Sequence, residues 1–358
     1  MRKMKSFNEV FEDKTKYGTK IKTSEYCEMG AHLIIDQGQE QVAGYTDIEE
    51  GVFEEVPVII FGDHTRVIKY VDKPFFLGAD GVKVLRSKFK NANYKYLYYA
   101  LKNARIPNTG YNRHFKWLKE VQIEYPDYRR QENVVKILDK VSDLIETRQH
   151  EIKRLDDLIK ARFVELFGNP VLNEKGWESN LLAQLTLKIG SGATPKGGRE
   201  AYQEEGIALI RSMNVYNGKF EYKDLAHISD EQAAKLDNVI IKESDVLLNI
   251  TGASVARSCV VPNQILPARV NQHVCIIRCK ECIEPIFLNR LLIDDNYQKL
   301  LWEIAGSGAT REAITKQQVE RLKIILPPIE LQNQFADFVR QVDKSKVAVQ
   351  KALDETQT

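Results

Sequence analysis

The chain has 358 residues, 43% hydrophobic and 28% charged, with a formal net charge of +2. That is room for two folded domains plus extended helix, in a composition that excludes disordered and fibrous classes. No run approaches the ~18 apolar residues of a membrane helix, and Met1-Arg2-Lys3-Met4-Lys5 leads into polar residues without the apolar centre of a signal peptide. Five cysteines, an odd number in a large chain, fit a reducing compartment better than a disulfide framework. The expectation is a cytoplasmic protein with no membrane partner.

Residues 1–125 read as mixed structure. Val58-Ile59-Ile60-Phe61 is an apolar run ending in Gly62-Asp63, a buried strand and a turn. Val82-Lys83-Val84-Leu85 alternates as a strand does. Tyr94 to Leu101 predicts a short helix, whose Tyr94, Tyr96, Tyr98 and Tyr99 read as packing rather than as base-stacking groups. After Ile123-Glu124-Tyr125-Pro126 a helical pattern runs from Tyr128 to Phe167 with no internal Pro or Gly. Val134, Leu138, Val141, Ile145, Ile152, Leu155 and Ile159 recur in steps of four and three, a coiled-coil seam with Arg148 in one seam position. Such a helix is on the order of 60 Å long. Gly168 supplies its C-cap and Pro170 its stop. Farther on, Val246-Leu247-Leu248-Asn249-Ile250 is a second apolar strand. Ile324-Ile325-Leu326-Pro327 precedes a second helical run, with Phe335, Val339, Val342, Lys346, Val349 and Leu353 in the same spacing.

The two halves therefore repeat one order of elements. Val246–Ile250 answers to Val58–Gly62, Asn271–Arg278 to Ala79–Arg86, and Phe287–Leu292 to the Tyr-rich helix, at an offset drifting from about 190 to about 200. Repeats of this kind decide architecture. The fold class is α+β: two globular α/β domains, 1–125 and 169–326, separated by helices 126–168 and 327–358 that pair as an antiparallel coiled coil. A homodimer through the same seam is the alternative.

Charge is uneven. Residues 57–125 carry thirteen basic and five acidic side chains, whereas residues 1–56 carry seven and twelve. From Lys83 to Lys119 there are ten basic residues and no acidic one, which points to a polyanion or to a solvated basic face. Polar and basic residues that could read base edges gather in loops. They are Arg66, Arg105, Asn108, Thr109, Tyr111, Asn112 and Arg113 in the first half. In the second they are Thr194, Arg211, Ser212, Asn214, Thr251, Ser254, Arg257, Asn271, Gln272, Thr310 and Arg311. Gly190-Ser191-Gly192-Ala193-Thr194-Pro195 and Gly306-Ser307-Gly308-Ala309-Thr310 are near copies. They read as turns near a backbone phosphate or as tight turns needing positive φ; neither is a P-loop.

Cys275, Cys279 and Cys282 have the spacing of an iron–sulfur motif, but Cys275 falls in a predicted strand whose alternation makes it core. A zinc site with His273 lacks paired C-x2-C spacing. The sequence offers no catalytic constellation, and the expectation is a chain with no metal and no cofactor of its own.

Several segments in order resemble the specificity subunit of type I restriction–modification enzymes. They are Val58 to Arg66 with Lys73-Pro74-Phe75-Phe76, Ala161 to Pro170 with Gly176-Trp177-Glu178, Gly192-Ala193-Thr194-Pro195, and Leu326-Pro327-Pro328-Ile329-Glu330-Leu331-Gln332. The first half departs from the usual Pro-Pro form at Tyr125-Pro126-Asp127. The resemblance implies two target-recognition domains, each reading half of an asymmetric bipartite site in double-stranded DNA. It implies conserved spacer helices that recruit two methyltransferase subunits, with restriction subunits added. S-adenosylmethionine, ATP and Mg are then expected in those partners, and this chain is not itself an enzyme. The competing readings are a protein-binding coiled-coil scaffold and a metalloenzyme built on the cysteines.

Overall fold

The computed structural model describes residues 3–78, 80–110, 112–195, 197–306 and 312–357. The chain divides into two compact units, Met1–Glu146 and Thr147–Thr358, with the division inside one long helix.

The first unit contains β1 (Met4–Ser6), α1 (Phe7–Val10), β2 (Phe11–Asp13), β3 (His32–Ile35), β4 (Gly44–Thr46), β5 (Val58–Gly62), β6 (Ile68–Val71), β7 (Phe75–Leu77), β8 (Val82–Ser87), α2 (Tyr94–Lys102), α3 (Phe115–Leu118), β9 (Gln122–Glu124) and the start of α4 (Tyr128–Phe167). An antiparallel sheet has the order β2-β8-β5-β6; a second has the order β4-β3-β7, with β3 and β7 parallel; β1 pairs with β9. All five residues of β5 are buried. Ile59 and Phe61 face a core shared with Leu97 and Leu101 of α2, while Val58 and Ile60 face a second core with Ile35, Phe75 and Leu77. A strand covered on both faces has no polar side, which is why this segment is an unbroken apolar run.

The second unit holds the rest of α4, then β10 (Ser179–Leu181), β11 (Thr186–Ser191), β12 (Ile207–Ile210), β13 (Val215–Tyr216), β14 (Lys219–Phe220), β15 (Ala226–Ile228), α5 (Asp230–Ala234), β16 (Val246–Asn249), β17 (Ser258–Val260), β18 (Ala268–Val270), β19 (Val274–Cys279), α6 (Pro285–Leu292), α7 (Asp295–Gly306), α8 (Lys316–Glu320), β20 (Lys323–Ile325) and α9 (Ile329–Gln357). Its sheets, β11-β19-β16-β17, β15-β12-β18 and β10-β20, repeat those of the first unit strand for strand, including the parallel pair β12–β18. Strand β16 also sits between two cores, one holding Val246 and Leu248 and the other Leu247. The helix α7 and the hairpin β13–β14 have no counterpart among the described elements of the first unit.

Equivalence extends to single hydrogen bonds. Gly62 N–H donates to the Val67 carbonyl (2.8 Å) and Asn249 N–H to Arg257 (2.8 Å), closing the same hairpin with three more residues in the second unit. The residue two before the returning strand has positive φ in both, Arg66 at 62° and Ala256 at 70°. The start of each long helix is tied in the same way. Gln131 is 2% exposed and donates from Nε2 to the Pro126 carbonyl (2.9 Å); Gln332 is 0% exposed and donates to the Pro327 carbonyl (2.8 Å). Gln332 Oε1 additionally accepts from Glu284 N–H (2.9 Å) at the first turn of α6.

Helix α4 begins where Asp127 Oδ1 accepts from Arg130 N–H (3.0 Å), an N-cap. It ends at Gly168, φ 74°, where Trp177 Nε1 donates to the Phe167 carbonyl (3.0 Å) and Lys175 to that of Leu166 (3.2 Å). These donors satisfy carbonyls that a helix end leaves open. In the first unit α4 is held by Asp139, which accepts from Lys95 (2.6 Å) and from the Tyr99 hydroxyl (2.7 Å). Burial, reinforced by that carboxylate, pushes the Tyr99 phenol up to about 12, so it stays a donor.

In the second unit, Phe163 and Phe167 of α4 interlock with Phe287 of α6 and Phe335 of α9, ring centroids 4.7–5.9 Å apart. Farther along, Asp156 pairs with Lys346, and Arg148 donates to Ala352 and Thr356, so α4 and α9 run in opposite directions over this stretch. Ile159, Phe335, Val339, Val342 and Leu353 are buried. Ile152, Leu155, Val349, Lys346 and Arg148 are half-buried, as are Leu138, Val141 and Ile145 within the first unit, where Val134 packs on the core. The guanidinium at a seam position is accommodated because it bonds helix end groups instead of lying among side chains.

Removing the ring of Phe335, which is 0% exposed, should expose the quality of this packing. Phe335→Ala is expected to destabilise the second unit by about 3–5 kcal/mol and Phe335→Leu by under about 1.5 kcal/mol. Denaturant melts of both variants check this; equal, small effects would mean the rings are not packed as described.

Candidate nucleic-acid interface

In each unit the register places one set of strand ends together. The C-terminus of β5 pairs with the N-terminus of β8, Gly62 opposite Val82, and β3 and β7 end side by side. The loops that leave this end carry most of the sequence-derived candidates. Arg105, Asn108, Thr109, Asn112 and Arg113 are exposed on the segment between α2 and α3. That segment is returned to the strand end by His114, which is 0% exposed; its N–H donates to the Asp63 carbonyl (2.7 Å) and its Nδ1 lies 3.0 Å from the same oxygen. Asp63 Oδ1 accepts from Phe115 N–H (2.7 Å). Arg66 is half-buried and donates to the Ile106 carbonyl (3.2 Å), so it holds the loop rather than projecting from it. Tyr111 lies outside the described residues.

Two groups that residue type alone did not single out support this end. Gln37 bridges from β3, donating to Asp80 (2.9 Å) and accepting from His64 N–H (3.1 Å). Lys69 is 2% exposed and reaches the Glu40 carbonyl (2.5 Å) and Asp36 (3.5 Å); burial holds its ammonium pKa below the usual lysine value. The sequence signal nearest to these two supports is the Gly62-Asp63 turn.

The second unit builds the equivalent end from β11, β12, β16, β18 and β19. Asn249 of β16 is opposite Val274 of β19, and β12 and β18 finish in parallel at Ile210 and Val270. Thr194 and Gln272 are exposed; Arg211, Ser212, Thr251, Ser254 and Arg257 are half-buried. Arg257 stacks over Tyr216 (4.5 Å) and Arg211 over Tyr202 (5.2 Å), which keeps each guanidinium in a defined plane. Thr194, Gln272, His273 and Thr251 form one chain of hydrogen bonds. His273 sits beside a sequence candidate, but its role depends on tertiary neighbours.

Two asparagines turn inward. Asn214 is 0% exposed and donates to Glu221 (2.9 Å) while accepting from Arg211 N–H (3.1 Å). Asn271 is 5% exposed and accepts from His273 N–H (3.0 Å). Both shape loops and neither offers its amide to solvent. Thr310 and Arg311 lie outside the described residues, as does most of the second glycine-rich copy. In the first copy Gly192 does not need positive φ; a Cβ there would lie 1.8 Å from the Val270 carbonyl. Close backbone approach, not turn conformation, selects glycine at this position.

The fold also redistributes the basic run. Lys83 pairs with Asp13 (3.7 Å), Lys95 with Asp139 (2.6 Å) and Arg86 with Glu55. Among the described residues Arg105 and Arg113 form no ion pair. Cys275 is core, and burial pushes its thiol and that of Cys279 up to about 12. Thiols so reluctant to ionise are poor metal ligands, and the described residues contain no group of three His, Cys, Asp or Glu placed to hold a metal. No helix of the described residues is long and apolar enough to cross a membrane.

Known proteins share this organisation. The model of the type I restriction modification DNA specificity domain matches residues 3–156 and again residues 174–356. The chain belongs to this family. The double match divides it as the strand order does. A putative type I restriction enzyme MjaX specificity subunit of Methanocaldococcus jannaschii is 24% identical over 330 residues, 80% of this chain and 72% of that protein. The EcoR124I/EcoR124II specificity subunit of Escherichia coli is 21% identical over 350 residues, 93% and 84% of the two chains. The type I restriction–modification S subunit of M. genitalium shares the fold with a TM-score of 0.62 at 17% identity, covering 100% of this chain and 93% of that one.

For a member of this DNA specificity family, the exposed, unpaired arginines of the first unit are the first to test. Arg105→Glu with Arg113→Glu should change the unfolding free energy by less than about 0.5 kcal/mol. DNA affinity should fall, and the slope of log K against log salt should shrink by roughly 1 to 2. An unchanged salt slope in a binding titration would remove these side chains from the interface.

Proposed function

We propose that the chain is the non-catalytic specificity subunit that reads a bipartite, asymmetric DNA sequence, one half-site per globular unit. The observation that carries this reading is the duplicated strand end. Two copies of one frame present loops of different sequence at the same place, and different loops on equal frames suit two different half-sites. Phosphate contacts by residues such as Arg105 and Arg113 position the chain, and base-edge contacts by loop residues specify.

In this reading residues 1–125 and 169–326 are the target-recognition domains, and 126–168 and 327–358 are spacer helices paired as an antiparallel coiled coil. The helices set the number of unread base pairs and recruit two methyltransferase subunits, with restriction subunits joining the assembly. S-adenosylmethionine, ATP and Mg act in those partners. The opposite run of α4 and α9, and the burial of Ile159, Val339 and Leu353, support the spacer role. The methylated adenine must leave the base stack, so the assembled complex is expected to distort its DNA.

The test is modular exchange. With residues 169–326 replaced by those of a relative, the methylation motif read from genomic DNA should change in one half only; a change in both halves contradicts separate readers. Deleting seven residues within 134–160 should alter or abolish the spacing while leaving both half-sites as they were. If the complete system gives no split motif at all, the specificity role itself fails.

A further inference from the structure

Gln272 is exposed at the strand end of the second unit. The backbone on either side of it is tied by three bonds. Asn271 N–H donates to the Ile210 carbonyl (3.1 Å), Gly192 N–H to that of Asn271 (3.1 Å), and Ile250 N–H to that of His273 (3.0 Å). The loop is therefore mounted on β12, β11 and β16 together, the kind of support that holds a side chain to a fixed geometry.

The side chain is held as well. Gln272 Oε1 accepts from the Thr194 hydroxyl, and Nε2 lies 3.1 Å from His273 Nε2. His273 Nδ1 in turn lies 2.5 Å from Thr251 Oγ1. A carboxamide has two N–H donors and two lone pairs. One of each is engaged within the protein, so one donor and one acceptor remain on an exposed amide. The count survives exchange of the amide oxygen and nitrogen. Nitrogen would then donate to Thr194, and oxygen would accept from the His273 ring.

A single donor beside a single acceptor matches one base edge. In the major groove adenine presents the N6 donor and N7 acceptor, whereas guanine presents two acceptors, N7 and O6. Against guanine the free lone pair of Gln272 would face O6 without a proton between them. Cytosine and thymine each offer one hydrogen-bonding group there. We infer that Gln272 reads an adenine of the half-site contacted by the second unit, and that Thr194, His273 and Thr251 hold its amide plane for that contact. The inference rests on the proposal that residues 169–326 read one half-site, and it assigns that half-site one of its letters.

The test uses the complete system, with methylomes recorded for the native chain, Gln272→Ala and His273→Phe. Gln272→Ala should give the native split motif with one A·T position relaxed, in the half that changes when residues 169–326 are exchanged. His273→Phe keeps the ring but loses both bonds, and should relax the same position less completely. Binding titrations on duplexes with 7-deazaadenine, which lacks N7, placed at each adenine of that half-site in turn complete the test. The native complex should lose roughly 5- to 150-fold at one position, and the Gln272→Ala complex should be indifferent there. An unchanged motif, a relaxed G·C position, or equal loss for both complexes would overturn the assignment. So would a Gln272→Ala chain that melts like the native one yet supports no methylation, because one lost base contact relaxes a site without abolishing it. Absence of any split motif with the native chain would instead overturn the specificity role.

Discussion

The Gln332 side chain reaches back to the Pro327 carbonyl over 2.8 Å, sealed from water, at the point where β20 gives way to α9. Gln131 makes the same bond to Pro126 at the start of α4. A proline cannot donate from its own nitrogen, and a helix start leaves donors and nearby carbonyls to be satisfied by side chains. A buried glutamine five residues on meets that need and fixes how the helix leaves the strand pair. An unpaired amide in such a site costs about 1–3 kcal/mol, so the joint is narrowly specified. The rest depends on it. The terminal strand pairs β1–β9 and β10–β20 close each frame, and the helix that follows each is set on the frame by this bond.

Above the joint, each frame has a central strand between two cores. That arrangement leaves one place where loops can vary without disturbing packing, the shared strand end. The second unit has a hairpin longer by three residues between Asn249 and Arg257 there, and an added helix α7 that packs into its core. The first unit has a shorter segment before α3, pinned by buried His114. The Phe163–Phe167–Phe287–Phe335 cluster then joins α4 and α9 to the second frame. Three of these ring contacts are edge to face, a geometry that aromatic pairs favour beyond their buried area.

Charge and polarity read along the chain were partly misleading. Lys83, Arg86 and Lys95 stand in a run without acids, yet the fold brings Asp13, Glu55 and Asp139 to them. Asn214 and Asn271 have the right chemistry for base reading and lie inside their loops. Residue type says what a side chain can bond, whereas burial decides what it does bond. Gln37 and Lys69 carry no such signal, and His273 reads in the sequence only as a zinc-ligand candidate, for the converse reason: they have partners 22 to 43 residues away.

Much was settled by local pattern alone. The 40-residue span of α4, its seam, and the cap at Gly168 follow from helical period and terminus chemistry. The apolar runs at Val58 and Val246 mark strands covered on both faces, and their order discloses the duplication. Which polar residues meet was decided only by tertiary structure, because strand pairing brings positions such as 194, 251 and 272 within hydrogen-bond reach. Period-two and period-3.6 patterns arise from each residue's own neighbours along the chain and survive in the sequence. A hydrogen bond across loops depends on register, loop length and burial together, and no single segment carries all three.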